Sequence, residues 1–201
     1  MIFEGIVLGM IIGKLRGGKI NNIGKFMFRT SFLLVFSLIL QLGTSILISL
    51  GYEKATEYRL ILYIISYIML FVVLFLNLHR KSIWVVLIGT ILNFAAIVLN
   101  GGSMPIDTKL LAERGFVNVL KSLQIGAMQN YISINEANSF TVYLAKKFVT
   151  PEWYPIKQFF SIGDILIALG LLLLVQSIMK SKKHRYSSRV LKFDSHGKMR
   201  L

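Results

Sequence analysis

The sequence predicts an all-α, polytopic membrane helix bundle, and three observations carry that prediction. Of the 201 residues 55% are hydrophobic, and the mean hydropathy is +0.66, too apolar for an ordinary water-soluble domain. Apolar runs recur at about residues 2–13, 30–50, 60–78, 83–99 and 156–179. All but the first are long enough for a hydrocarbon core of ~30 Å. The net charge of +14 comes from Lys and Arg residues that flank these runs, Lys157 at the very start of the last being the one inside, as juxtamembrane charges do.

The first run is short and carries Gly5, Gly9 and Gly13 on one helix face, where a neighbouring helix can approach closely. Packing within the bundle is the simpler use of that face; self-association is the alternative. Its acid, Glu4, precedes the basic Lys14, Arg16 and Lys19, the reverse of a secretory signal. A basic loop over 14–29 turns at Gly17-Gly18. In the second run Gln41, Thr44 and Ser45 share a face that looks into the bundle. A tight basic turn, His79 to Lys81, joins the third and fourth runs. Asn77 and Asn93 read as interhelical hydrogen-bond glue.

Residues 101–155 are not apolar enough to span. The spacing of Phe116, Val119, Leu120 and Leu123 predicts an amphipathic helix over 107–122. Ser133 and Glu136 are spaced as a capping box that opens a second helix to about Phe148. Both helices are expected to lie on the membrane or on the mouth of the bundle. Pro151, Trp153, Tyr154 and Pro155 read as an interfacial turn. The last run ends at Lys180, and a polar, basic tail follows over 181–201.

Charge sets the expected orientation. Fifteen of the 23 Lys and Arg residues fall in the 14–29 loop, the 79–81 turn and the stretch from Lys180 onward. The positive-inside rule then places the N-terminus outside and the C-terminus inside a bacterial cytoplasmic membrane. The expected partners are the bilayer itself, with anionic headgroups at Lys180, Lys182, Lys183 and Arg185, and a membrane protein or a second copy of the chain. Nucleic acid is not expected, because the charge flanks apolar runs.

Several chemistries are excluded. There are no cysteines, so disulfides, thiolate metal sites and a cysteine nucleophile are absent. No phosphate-binding loop and no H-E-x-x-H occur. The histidines, His79, His184 and His196, all fall outside the apolar runs. No metal, haem or other cofactor is therefore expected.

The residue that calls for explanation is Asp164, a carboxylate inside the last apolar run. At mid-helix such a group costs ~2.5–3.5 kcal/mol on insertion scales. The length of the run predicts a helix from about Ile156 with Asp164 inside it. Asn100, Gly101, Gly102 and Asp107 follow the fourth run and are expected to face Ser161 and Asp164 at one membrane depth, so that Asn100 and Ser161 donate to the carboxylate. The structural reading is that Asp164 caps the last helix or ties it to Asn100 and the Gly101 backbone. The chemical reading is a dyad of Asp107 and Asp164 sharing a proton.

Two resemblances follow from these residues. Arg16-Gly17-Gly18, the N-G-G-S-M-P of Asn100 to Pro105, and the S-I-G-D-I-L-I-A-L-G of Ser161 to Gly170 resemble an uncharacterised bacterial family of multi-pass membrane proteins, a domain of unknown function. That resemblance implies a fold and no activity. The last run, with Phe160, Ser161, Gly163, Asp164, Ile167 and Gly170, is similar to the F-N-x-A-D-x-x-I-x-x-G stretch of lipoprotein signal peptidases. This similarity implies an aspartate-dependent hydrolase in which Asp164 is one acid and Asp107 the other, the G-N-x-x-D-R motif being absent.

The expected function is a non-enzymatic binding, accessory or assembly component with an outward-facing polar pocket around Asn100, Gly101, Gly102, Ser161 and Asp164. The alternatives are the Asp107/Asp164 hydrolase and, third, a proton- or ion-coupled carrier.

Overall fold

The computed structural model describes residues 1–180 apart from 152 and 155, and the backbone of 192–193 and 199–200. The basic cluster Lys182, Lys183 and Arg185 and the residue Pro155 lie outside the described residues. The chain is mostly helical. The helices are α1 (Ile2–Leu15), α2 (Ser31–Ser49), α3 (Glu53–Glu57), α4 (Arg59–Leu76), α5 (Lys81–Val98), α6 (Thr108–Glu113), α7 (Val117–Gln124) and α8 (Ile162–Lys180). Four of them, α2, α4, α5 and α8, are long and apolar enough to cross a membrane. At 14 residues, α1 is shorter, about 21 Å.

The bundle is a row in the order α1, α8, α5, α4, α2. Its tightest joints are made by glycine. In α1, Gly5, Gly9 and Gly13 are buried against Ala168, Leu172 and Met179 of α8. A Cβ on Gly9 would lie 2.9 Å from the Leu172 carbonyl oxygen. On its other flank α8 presents Gly163 and Gly170 to Gly89 and Val86 of α5. Without side chains in the way the backbones close up, which is how helices gain packing energy where no hydrophobic drive exists between them. The glycine face of α1 is thus spent inside the bundle.

The end of the bundle carrying the 14–29 loop is closed by apolar packing. Leu74, Ile83, Val86, Leu87, Leu174 and Ile178 form the buried cluster, with Phe26 and Phe28 of the loop folded onto it. Asn77 holds that loop: its Nδ2 donates to the Val73 and Arg29 carbonyls at 2.7 and 3.2 Å, and its Oδ1 accepts from Arg29 N–H at 3.1 Å. Lys19 N–H donates to the Met179 carbonyl at 3.0 Å, which ties down the end of α8.

The opposite end is covered by residues 101–160, where the structure departs from the expectation of two amphipathic helices. The first is broken into α6 and α7 at Gly115, whose φ is +74°. The second does not form. Ser133 and Glu136 make only a turn, Glu136 N–H to the Ser133 carbonyl, and a 3-10 segment follows at Ser139–Leu144. Short strands take the remaining backbone: β1 (Met104–Ile106) pairs in parallel with β2 (Tyr131–Ser133), and β3 (Phe148–Val149) pairs antiparallel with β4 (Phe159–Phe160). Near the C-terminus β5 (Lys192–Phe193) pairs antiparallel with β6 (Met199–Arg200). The covering segment is rich in β-branched and aromatic residues, which favour a pleated surface. The far edge of β1 is bridged by Lys146 through Ile106, so that stretch of backbone is drawn into the sheet and away from a helix.

The last helix also starts later than expected, at Ile162 and not near Ile156. Phe159 and Phe160 are committed to β4. Ser161 and Asp164 then cap the helix reciprocally: Asp164 N–H donates to Ser161 Oγ at 3.1 Å, and Ser161 N–H donates to Asp164 Oδ2 at 3.0 Å. This is the capping-box geometry with aspartate in the acid position. The 19 residues that remain still reach about 28 Å.

Candidate functional site

Asp164 sits in the first turn of α8 and is held from three directions. Asn93 of α5 donates Nδ2 to Oδ1 at 2.8 Å. Lys146 donates Nζ to Oδ2 at 2.9 Å, with both side chains less than one-fifth exposed. The Ser161 backbone gives the third bond. Ser161 Oγ in turn donates to Asn93 Oδ1 at 2.8 Å, which closes a ring of Asn93, Ser161 and Asp164. The ring needs both glycines at the α5–α8 joint. A Cβ on Gly163 would strike Asn93 Oδ1, and one on Gly89 would lie 2.6 Å from the Gly163 carbonyl oxygen. A carboxylate with this many partners is compatible with burial.

Lys146 reaches Asp164 because β1 presents it. Its N–H donates to the Pro105 carbonyl at 2.9 Å and its carbonyl accepts from Asp107 N–H at 3.2 Å. Its ammonium also lies 5.7 Å from the centre of the Phe159 ring, a cation–π distance.

The pair forms one wall of a cavity of about 150 Å³. From the bundle come Ser45 of α2, Tyr63 and Tyr67 of α4, and Asn93 and Ile97 of α5. The covering segment supplies Gly102, Met104, Asn130 and Tyr131. Asn130 Nδ2 donates to Ser45 Oγ at 2.8 Å, pinning the cover to α2, while its Oδ1 is buried with no hydrogen-bond partner among the described residues. The ring of Tyr67 is fixed against Phe71 and Phe94. Behind the pair lies a second, more open cleft of about 360 Å³, walled by Ile2 and Phe3 of α1 and by Phe159 and Phe160. Lys146 and Asp164 face both spaces. Among the described residues no group of His, Cys, Asp and Glu is arranged to hold a metal ion.

The matched family model covers residues 25–176 and is described as a family of unknown function, DUF5317. The chain belongs to the DUF5317 family. No curated protein and no solved structure matches it. Every residue lining the 150 Å³ chamber falls inside the DUF5317 span, whereas α1 and its side of the open cleft fall before it.

Set on this geometry, the sequence-predicted residues of this DUF5317 chain divide. Asp164 and Gly102 line the chamber, and Ser161, fully buried, braces Asp164 from behind. Asn100 does not reach Asp164, a correction to the expected tie. Its Nδ2 donates to the Ala96 carbonyl and Thr141 Oγ1, at 2.6 and 2.9 Å, and its Oδ1 accepts from Asn138 N–H at 2.8 Å. It therefore caps α5 and holds the 138–141 turn. The reason is register: α5 and α8 meet at Gly89 and Gly163, which sets Asn93 opposite Asp164. Gly101 and Gly102 have φ of +62° and +90° and turn the chain from α5 into β1. A Cβ on Gly102 would lie 2.7 Å from the Arg59 side chain, whereas Gly101 faces open space.

The two aspartates are engaged separately. Asp107 is the N-cap of α6, its Oδ1 accepting from Lys109 and Leu110 N–H at 3.0 and 3.2 Å. Lys146 stands between them, bonded to Asp107 through its backbone and to Asp164 through its side chain. Lys146, Tyr63, Tyr67 and Asn130 are site residues that sequence reasoning did not single out. A signal existed for Lys146 alone: a buried carboxylate calls for a cation, and the 101–155 segment contains few lysines.

Proposed function

We propose that this protein is a multi-pass component of the bacterial cytoplasmic membrane that binds a small polar molecule in its chamber, without catalysing a reaction on it. The chamber carries the reading. A cavity of about 150 Å³ is the size that admits a benzene-sized molecule. Here the walls are about half polar and include a charge pair, three tyrosines and an unpaired amide oxygen. Such convergence of polar groups in a preformed concavity is the usual mark of a ligand site.

Charge supports an outward-facing chamber. Fifteen of the 23 Lys and Arg residues fall in the 14–29 loop, the 79–81 turn and the stretch from Lys180 onward, in line with the positive-inside rule. The apolar cluster at the far end of the bundle opposes a carrier reading, because it packs α4, α5 and α8 together there with hydrophobic side chains. The separate engagement of Asp107 and Asp164 opposes a shared-proton dyad.

The absence of cysteine makes the test direct. A Met104→Cys chain in spheroplasts is expected to react with a membrane-impermeant methanethiosulfonate, while Leu74→Cys, in the apolar cluster, is not. Reaction of Met104→Cys only after the membrane is permeabilised would overturn the proposed orientation, and no reaction at all would remove the chamber as a site.

A further inference from the structure

We infer that the chamber takes a small zwitterion, a molecule bearing both a protonated amine and a carboxylate; this deepens the binding reading and rests on it. The first observation is a missing donor. Asn130 is only 7% exposed; its Nδ2 is used by Ser45 and its carbonyl by Met104 N–H, yet its Oδ1 is unpaired. Buried carbonyl oxygens are nearly always satisfied, so the chamber asks for an N–H or O–H at this point.

Acceptors continue beside it. Asp164 Oδ1 accepts one bond, from Asn93, and has capacity for another. The Tyr67 hydroxyl makes no hydrogen bond among the described residues, and the rings of Tyr63 and Tyr67 add electron-rich faces that attract an ammonium. On the other side stands Lys146. One of its three hydrogens is given to Asp164 Oδ2, and the others are available to a carboxylate.

The charge balance selects the ligand class. Asp164 and Lys146 cancel, so a lone anion in the chamber meets the carboxylate and a lone cation meets the ammonium. A zwitterion lays its ammonium on Asn130 and Asp164 and its carboxylate on Lys146, in the sense opposite to the pair, and every charge gains a partner. The cavity volume limits the ligand to about six heavy atoms, the size of glycine or β-alanine.

The experiment measures how fast Met104→Cys in proteoliposomes reacts with a small neutral thiol reagent, alone and with glycine, β-alanine, acetate, methylammonium or glycerol. A five- or six-atom ligand binds at about millimolar strength, so about 10 mM zwitterion should slow the reaction about tenfold. Acetate, methylammonium and glycerol should leave it nearly unchanged. Protection should vanish in the neutral double variant Asp164→Asn with Lys146→Met. Equal protection by acetate, methylammonium or glycerol overturns the zwitterion and leaves the chamber a binding site. A reactive thiol that no solute protects overturns it too. A thiol that never reacts overturns the chamber reading and this inference together.

Discussion

Lys146 and Asp164 meet at 2.9 Å, although one is carried by a strand-bridged loop and the other by the first turn of α8. The contact couples the covering segment to the bundle and stands between the chamber and the more open cleft beside α1. Each side chain is more than four-fifths shielded, so neither charge is well served by water once the other is removed. Asp164→Asn alone and Lys146→Met alone are each expected to destabilise the detergent-solubilised protein by about 3 kcal/mol. The double substitution should restore most of that loss. Chemical unfolding of the four proteins of this cycle measures the coupling, and additive losses would show the pair to be unimportant.

The Asn93 ring makes a second, separable demand. Gly163→Ala places a methyl group against Asn93 Oδ1 and the Gly89 carbonyl, so the α5–α8 joint must open. The expected loss is about 2 kcal/mol, within the range for overpacking, and a thermal melt reads it. Gly43→Ala in α2 meets nothing within 4 Å and should be neutral or stabilising, by up to about 1 kcal/mol.

Much of this architecture was legible before the fold was seen. Long apolar runs mark α2, α4, α5 and α8, because a membrane solvent leaves little alternative to helix. Asp164 stood out by its cost, and the glycines of α1 by their spacing. The covering segment was the hard part. The spacing of Phe116, Val119 and Leu120 does correspond to α7, but Ser133 and Glu136 satisfy a helix-start pattern that long-range pairing overrides. That Asp164 needs a cation is readable from its burial, but that the cation is Lys146 depends on the bridge to Ile106, a contact between residues forty apart that no local pattern records. Asn93 was recognised as polar glue, yet its partner depended on where two glycines allow two backbones to touch.

Asp107 and Asp164 should respond differently to the same change. Asp107→Asn keeps a good N-cap on α6 and is expected to be nearly silent in a melt, with Asp107→Ala costing about 1 kcal/mol. Asp164→Asn leaves Lys146 without its counter-charge and should cost far more. Equal, large effects of the two asparagine substitutions would contradict the separate roles assigned here.

The glycine face of α1 yields a prediction about assembly within the chain. Gly9→Leu collides with the Leu172 backbone and the Val175 side chain, and should free α1 from α8 while α2, α4 and α5 stay together. Limited proteolysis of the 14–29 loop should then quicken, whereas an unchanged cleavage rate would mean that α1 is held by other contacts.

The pairing of α1 with α8 also has a meaning in time. Gly9 leaves the ribosome about 160 residues ahead of Leu172, an interval of roughly ten to thirty seconds at ordinary rates of synthesis. Throughout that wait Leu172, Val175 and Met179, which fill the notched face of α1 in the finished fold, are absent. A chain that stalls before α8 leaves the notch unfilled, and it lacks Asp164 to neutralise Lys146. Completion is thus written into the structure twice, in shape at Gly9 and in charge at Lys146.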